Sequence, residues 1–248
     1  MNILENTPKN SKLIGIGEEG IKTLDSIYNK LEENIDFEKI NINQDVDKDY
    51  VRNLLDGVDI LFLTYSTENR RAKDIVKAIA YMASERRVLS IGLNLSIKED
   101  KDELNIDREL ILSKENTNKI ISLMNTMIES ISDSCMINID LTDLKEVLCS
   151  DKGIKYSYED FNKDQDIEQV ANILIDNANN AGSEFTNKKG ILFVDMDKNY
   201  CEESQMLILL NNILIEIQEK IDGTCEIIFS LNIKESLEGK ARFGLIYN

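Results

Sequence analysis

The sequence predicts an α/β protein in which a parallel sheet flanked by helices leads through a long central helix into a smaller α/β second half. Three observations carry that prediction. Short apolar runs bounded by turns alternate with helix-periodic stretches through the first hundred or so residues. A longer helix-periodic stretch follows at 116–131, and a second set of apolar runs and helical stretches completes the chain. At 248 residues there is room for one large domain or two modest ones.

The elements follow in order. Residues 12–17 read as a buried strand running into a turn, and Ile21, Leu24, Ile27, Tyr28 and Leu31 then recur at helical spacing. A second strand fits 37–42, a short helix 49–55 and a third strand 59–64. Ala72, Ile75, Val76, Ile79 and Ala83 mark one helix face, and 88–93 forms a fourth strand. Alternation at such short spacing indicates a mostly parallel sheet covered on both faces. Residues 96–107 are charged and loop-like; Ile120, Met124, Met127, Ile128 and Ile131 then set the central helix. Beyond Met136 come a helix faced by Ile167, Val170, Ala171, Leu174 and Ala178, a strand at 191–195, an unusually apolar helix over 203–220, and strands at 225–231 and 241–247. The expected organisation is 1–115, a Rossmann-like domain of nucleotide-binding type; 116–134, the central helix; and 135–248, the second α/β domain.

Composition removes whole classes of function. Lys and Arg number 29 against 46 Asp and Glu, a net charge of −17, which repels nucleic-acid phosphates and anionic lipid. Nucleic-acid binding and direct membrane binding are therefore not expected. Apolar runs such as 206–210 fall far short of the ~20 residues of a membrane span. The N-terminus lacks the basic-then-apolar pattern of a signal peptide, so the expected location is cytoplasmic. Histidine is absent, which excludes Ser-His-Asp and Cys-His catalysis and nearly every catalytic zinc site. Cys135, Cys149, Cys201 and Cys225 show no C-x-x-C spacing; they read as reduced, and no metal centre is expected. Glycine is scarce, 11 residues in 248 against an average of about 7%.

Two motifs carry chemistry. Gly15, Gly17 and Gly20 fit G-x-G-x-x-G between a strand and a helix, a turn that lets phosphate oxygens approach backbone N–H groups at a helix N-terminus. The same spacing also suits a tight strand-to-helix turn whose solvated acids, Glu18 and Glu19, favour the positive end of the helix dipole. A dinucleotide-binding oxidoreductase is disfavoured, because the second strand ends at Asn41-Ile42-Asn43 without a ribose-binding acid. The second motif, Asn138-Ile139-Asp140-Leu141-Thr142-Asp143, follows the central helix. On spacing alone it is a helix cap, with Asp143 or Thr142 capping and Asn138 holding a turn.

With that motif in place the sequence resembles the tubulin/FtsZ superfamily, FtsZ in particular. In that family an N-x-D-x-x-D loop after the central helix reaches into the neighbouring subunit's GTP site, and its acids help position the attacking water. The segment after the loop, Asp143-Leu144-Lys145-Glu146-Val147, the glycine turn and the last two strands fit the same pattern, so the resemblance covers nearly the whole chain. It implies a reduced FtsZ/tubulin-like fold, a cell-division or cytoskeletal setting, and filament-type contacts with itself or with FtsZ.

The departures are as specific as the matches. The family's G-G-G-T-G-T-G signature falls, counted without gaps, on Glu68-Asn69-Arg70-Arg71-Ala72-Lys73-Asp74, where no glycine remains. Family glycines of the first loop are replaced by Glu18, Glu19 and Ile21, and the aspartate that reads guanine falls on Asn118. The expectation is a chain without a cofactor, its GTP pocket vestigial at Gly15, Gly17, Gly20, Arg70, Arg71 and Asn118, and its loop Asn138, Asp140 and Asp143 kept for a neighbour. The alternative is a divergent GTPase that binds GTP or GDP with magnesium through Arg70 and Arg71; with Lys73, these otherwise form a solvated helix turn. The sequence stops soon after the last strand, leaving no expectation of a linker or a membrane-tethering peptide.

Overall fold

In the computed structural model, which describes residues 10–31, 35–96, 101–132, 135–149, 152–221, 223–235 and 237–248, the chain divides into two units, 1–121 and 122–248. The first unit is built on continuous apolar strands. Leu13, Ile14 and Ile16 of β1 (Asn10–Ile16) are fully buried, as a parallel strand covered on both faces requires. Helix α1 (Gly17–Tyr28) buries Gly20, Leu24 and Ile27 and leaves its acids in water. Strand β2 (Asp36–Ile40) and helix α2 (Lys48–Leu54) follow, the latter capped by Asp47, which accepts from Tyr50 N at 2.8 Å. The central strand β3 (Val58–Tyr65) feeds α3 (Arg70–Glu85), whose buried face is Ala72, Ile75, Val76, Ile79, Ala80 and Ala83. Strand β4 (Leu89–Asn94), the single turn α4 (Lys101–Leu104) and β5 (Arg108–Ile111) complete the sheet.

The strand order is β2-β1-β3-β4-β5 with every pairing parallel. From β1 the chain passes to β2 on one side, and β3 then lies on the other, so the order reverses between β1 and β3. In open α/β sheets the crevice beyond the carboxyl ends of such strands is where ligands bind. One face of the sheet shares an apolar cluster with α2, α3 and α4, from Ile14 to Ile106.

Helix α5 (Thr117–Ser130) spans the division between the units, and Ile120, Met124, Met127 and Ile131 are all buried. In the second unit α6 (Leu141–Leu148) precedes β6 (Ile154–Asn162), α7 (Ile167–Asp176), β7 (Asn179–Ala181), β8 (Lys189–Asp197), α8 (Glu203–Ile221), β9 (Glu226–Lys234) and β10 (Lys240–Tyr247). Its sheet runs β7-β6-β10-β8-β9, antiparallel except for the β8–β9 pair. Glu129 of α5 is buried and accepts from Asn232 Nδ2 at 3.2 Å and from Lys234 Nζ, tying this helix to β9.

Sequence patterning did not anticipate β5, β6 or β7. Strand β5 is hidden because its first residues are charged: Arg108 and Glu109 are both buried, and Glu109 accepts from Tyr65 Oη at 2.5 Å and Asn94 Nδ2 at 3.0 Å. The loop read at 96–107 likewise contains α4. Strand β6 alternates Ile154, Tyr156 and Tyr158 before a charged Glu159-Asp160 pair breaks the pattern.

Candidate functional site

The glycine turn is shaped by the packing of α1 on the sheet. Gly17 sits at φ +72°, a left-handed conformation that side chains with a Cβ disfavour. A Cβ on Gly20 would lie 2.2 Å from the carbonyl oxygen of Thr64, and one on Gly15 would lie 2.9 Å from Gly20 O. Thr64 Oγ1 donates to Gly20 O at 2.8 Å and lies 3.3 Å from Ile14 O. All three glycines are thus accounted for by a sharp turn and a helix pressed onto β1 and β3.

Of the positions on which the glycine-rich signature falls, Glu68 and Asn69 lie in the loop from β3 to α3 and 70–74 in the first turns of α3. Three amides of this region are engaged by the chain's own side chains. Thr67 N donates to Ser96 Oγ at 2.9 Å, Glu68 N to Ser66 Oγ at 3.4 Å, and Ala72 N to Asn69 Oδ1 at 3.0 Å, which makes Asn69 the N-cap of α3. Ser66 Oγ and Ser96 Oγ lie 3.2 Å apart, and Ser96 N donates to Asn94 Oδ1 at 2.9 Å. A buried polar chain therefore runs from Glu109 through Asn94 and Ser96 to the loop. A phosphate-binding loop presents such N–H groups to its ligand; here those of Thr67, Glu68 and Ala72 already have acceptors.

Between this loop and the first turn of α1 lies a cleft of about 300 Å³, lined by Ile16, Gly17, Glu18, Glu19, Ser66, Glu68, Asn69 and Ala72. That is the low end of the range for small-molecule pockets. Among the described residues its charged lining is carboxylate. Glu18 pairs with Lys22 at 2.7 Å, and that hydrogen bond and charge hold its carboxyl below the usual range. Among the described residues no three Cys, Asp or Glu side chains are grouped to hold a metal ion.

The acid loop is a helix terminus. Asp140 is the N-cap of α6 and accepts from Thr142 N at 3.3 Å, while Asp143 Oδ2 accepts from Asp140 N at 3.3 Å, the reciprocal pair of a capping box. Asn138 and Asp140 are exposed and Asp143 is half-buried. The box fixes both carboxylates on a rigid element. Each carboxylate has about four acceptor positions, so most of that capacity is left for other donors.

No protein-family profile matches the sequence and no curated protein matches it. Solved structures do match in fold. The W319Y mutant of FtsZ from M. jannaschii superposes with a TM-score of 0.67 at 14% identity, over 99% of this chain and 92% of that one. The empty FtsZ dimer from M. jannaschii gives 0.68 at 12%, over 98% and 89%. TubZ of Bacillus thuringiensis serovar israelensis, in GDP-form protofilaments, gives 0.58 at 12%, over 97% and 85%. The fold is that of FtsZ.

On the FtsZ fold the residues singled out from sequence separate into distinct places. Gly17 lines the cleft, with Gly15 and Gly20 packed beneath it. Arg70 and Arg71 are exposed on the first turn of α3 and neither lines the cleft; Arg71 Nε donates to Ile42 O at 3.3 Å. Lys73 pairs with Glu103 at 2.7 Å. Asn118 Oδ1 accepts from Lys30 Nζ at 3.0 Å, and Lys30 lies past the C-terminal end of α1, one 12-residue helix (about 18 Å at 1.5 Å per residue) from the glycine turn. Asn138, Asp140 and Asp143 belong to the second unit. Sequence reading missed the part played by Ser66, Asn69, Asn94, Ser96 and Glu109. Only Asn69 carried a readable signal, as a capping residue just before an apolar-periodic helix.

Proposed function

We propose that this chain is an FtsZ-like assembly or regulatory protein that neither binds nor hydrolyses GTP, and that it acts on a filament through its Asn138/Asp140/Asp143 loop. The observation that carries the reading is the cleft at the switch point, where Glu18, Glu19 and Glu68 stand and no cationic residue lines it among the described residues. These carboxylates oppose a phosphate charge entering the cleft, and solvent screens part of that repulsion at such exposed side chains. Lys22 offsets part of this, mainly at Glu18 and less at Glu19. Three amides that could have compensated, those of Thr67, Glu68 and Ala72, are bonded to Ser96, Ser66 and Asn69.

The acid loop supports the other half of the reading. By the resemblance to FtsZ, such a loop completes the nucleotide site of the next subunit, and the capping box holds its carboxylates in place for that role. Head-to-tail stacking of this chain on itself would set Asp140 and Asp143 against Glu18, Glu19 and Glu68, carboxylate against carboxylate. A GTP-loaded FtsZ subunit is the better match for the loop, and the chain would then cap a filament end, offering the next subunit no nucleotide. Its carboxylates could orient a water for attack on the nucleotide they cover. The test is FtsZ assembly followed by light scattering and phosphate release while this protein is titrated in. Shorter polymers at substoichiometric ratios are expected, with the effect on GTP turnover reduced by Asp140→Ala with Asp143→Ala. No effect of the wild-type chain on polymer length or turnover would refute the capping role.

A further inference from the structure

Strand β9 is an outer strand of the second sheet, paired along its length with β8. Alternate residues of a parallel strand turn both their N–H and C=O to the same side. Glu226 N donates to Lys188 O at 2.8 Å, so the even-numbered residues face β8. The odd-numbered ones face outward. At Leu231 they meet Ile137: Ile137 N donates to Leu231 O at 3.0 Å, and Leu231 N to Ile137 O at 2.9 Å. Ile139 N donates to Ser130 O at 2.9 Å instead, so the chain leaves the edge there. The outward N–H and C=O of Ile227 and Phe229 are left without a partner among the described residues. We propose that this short open edge, with the groove beside it, binds an extended segment of another protein that carries a lysine or arginine. The segment adds antiparallel to β9 opposite 227–229 and sets its basic side chain over Ile228.

Backbone geometry selects an extended segment, since only a strand meets N–H and C=O groups that recur at every second residue. The edge also selects a short one. Ile137 holds it at Leu231, leaving two outward residues before that point. A second copy of β9 does not fit. Paired antiparallel about Ile228, its Cys225 would fall opposite Leu231, where Ile137 already sits. A segment that ends or turns away after three residues avoids that collision.

Charge selects the side chain. The segment residue opposite Ile228 points to the same face of the sheet as Ile228 does. Ile228 is 39% exposed and lines a groove of about 180 Å³ with Glu226, Asp143, Glu146, Val147 and Lys189. The groove is below the size of small-molecule pockets and suits one long side chain. Lys189 pairs with Glu146 and also lies within the charge field of Glu226 and Asp143, one ammonium against three carboxylates. A basic side chain lays its aliphatic stem on Ile228 and Val147 and brings the groove a second positive charge. An acidic one meets repulsion from the groove and from the net −17 of the chain. The inference does not rest on the capping role, since binding is read with neither FtsZ nor nucleotide present.

The experiment is fluorescence anisotropy of a labelled Thr-Val-Lys-Val-Thr peptide, blocked at both ends, titrated with the full chain. Saturable binding that weakens with added salt is expected. N-methylating both valines removes the N–H groups that meet Phe229 and Ile227, and should weaken binding by about tenfold or more. Replacing the peptide's lysine by glutamate should do the same. Ile227→Pro removes an outward N–H without breaking a bond to β8, as proline on an edge strand does. It should weaken the peptide severalfold, with circular dichroism showing the fold retained. Glu226→Lys should weaken the lysine peptide and strengthen the glutamate peptide, a reversal that misfolding does not produce. The proposal is overturned by no saturable binding up to about millimolar chain, by equal binding of the N-methylated peptide, or by a preference between the two peptides that Glu226→Lys leaves unchanged. A concentration-dependent dimer that Ile227→Pro abolishes also overturns it, and gives the edge to a second copy.

Discussion

Replacing Gly20 by Ala tests whether the glycine spacing of the first turn exists for packing. The added Cβ would stand 2.2 Å from Thr64 O, 3.0 Å from Thr64 C and 3.2 Å from Tyr65 Cα. All three are backbone atoms of the central strand and cannot rotate away, so α1 must retreat by about 1 Å in a close-packed interior. The retreat loosens Leu24 and Ile27, both fully buried, and lengthens the 2.8 Å bond from Thr64 Oγ1 to Gly20 O. Overpacking costs about 1–3 kcal/mol and the weakened hydrogen bond about 1 kcal/mol, against a gain of about 1 kcal/mol in helix propensity. The net expectation is a loss of about 1–3 kcal/mol. For a chain of this length that lowers the thermal midpoint by roughly 2–12 °C. Gly17→Ala is the internal comparison: its nearest neighbours would be 3.5 Å and 3.6 Å away, and only its φ of +72° is penalised, by about 1–2 kcal/mol. Thermal and urea unfolding followed by circular dichroism check both. A Gly20→Ala protein as stable as wild type would refute the packing explanation and return these glycines to a ligand.

Three further outcomes follow from particular contacts. Asp140→Ala should lower stability by about 1 kcal/mol through loss of the α6 cap, while Asp140→Asn, which can still accept, stays close to wild type in urea titrations. Tyr65→Phe leaves buried Glu109 without its 2.5 Å donor and should cost about 1–3 kcal/mol, read as a lower urea midpoint. Asp197 has its carboxyl held below the ordinary range by backbone N–H groups of Asn199, Gly239 and Leu237. A depressed folded-state pKa adds stability that is present above the unfolded value of about 3.9 and lost as pH falls through the folded one. The advantage of wild type over Asp197→Asn should therefore be largest near neutrality and shrink below about pH 4 in urea midpoints.

The parallel sheet was legible because its strands are buried on both faces: Leu13–Ile16 and Ile60–Leu63 are continuous apolar runs that no other environment favours. The helices α1, α3, α5 and α8 were legible from periodicity, with ends displaced by a residue or two in α3, α5 and α8 and by three or four in α1, which starts at Gly17 and not after Gly20. Strand β5 was not, since Arg108 and Glu109 look like surface residues until Tyr65 and Asn94 are brought over Glu109 by the fold. The same long-range pairing hid the polar chain that holds the β3–α3 loop: Ser66 and Ser96 are 30 residues apart in sequence. Loss of glycine at 68–74 could be read directly. What fills the space, a capping Asn69 and hydroxyls bonded to the loop amides, depends on neighbours that the local sequence does not name.

The most direct test of the central claim is equilibrium binding of GTP and GDP, with magnesium and ATP as the comparison, to the purified chain by isothermal titration calorimetry. Three carboxylates around a small cleft, with the amides of Thr67, Glu68 and Ala72 already bonded, lead to no saturable binding of any of the three up to about millimolar nucleotide. Saturable, magnesium-dependent GTP binding in the micromolar range, with phosphate release, would contradict the account and establish a divergent GTPase.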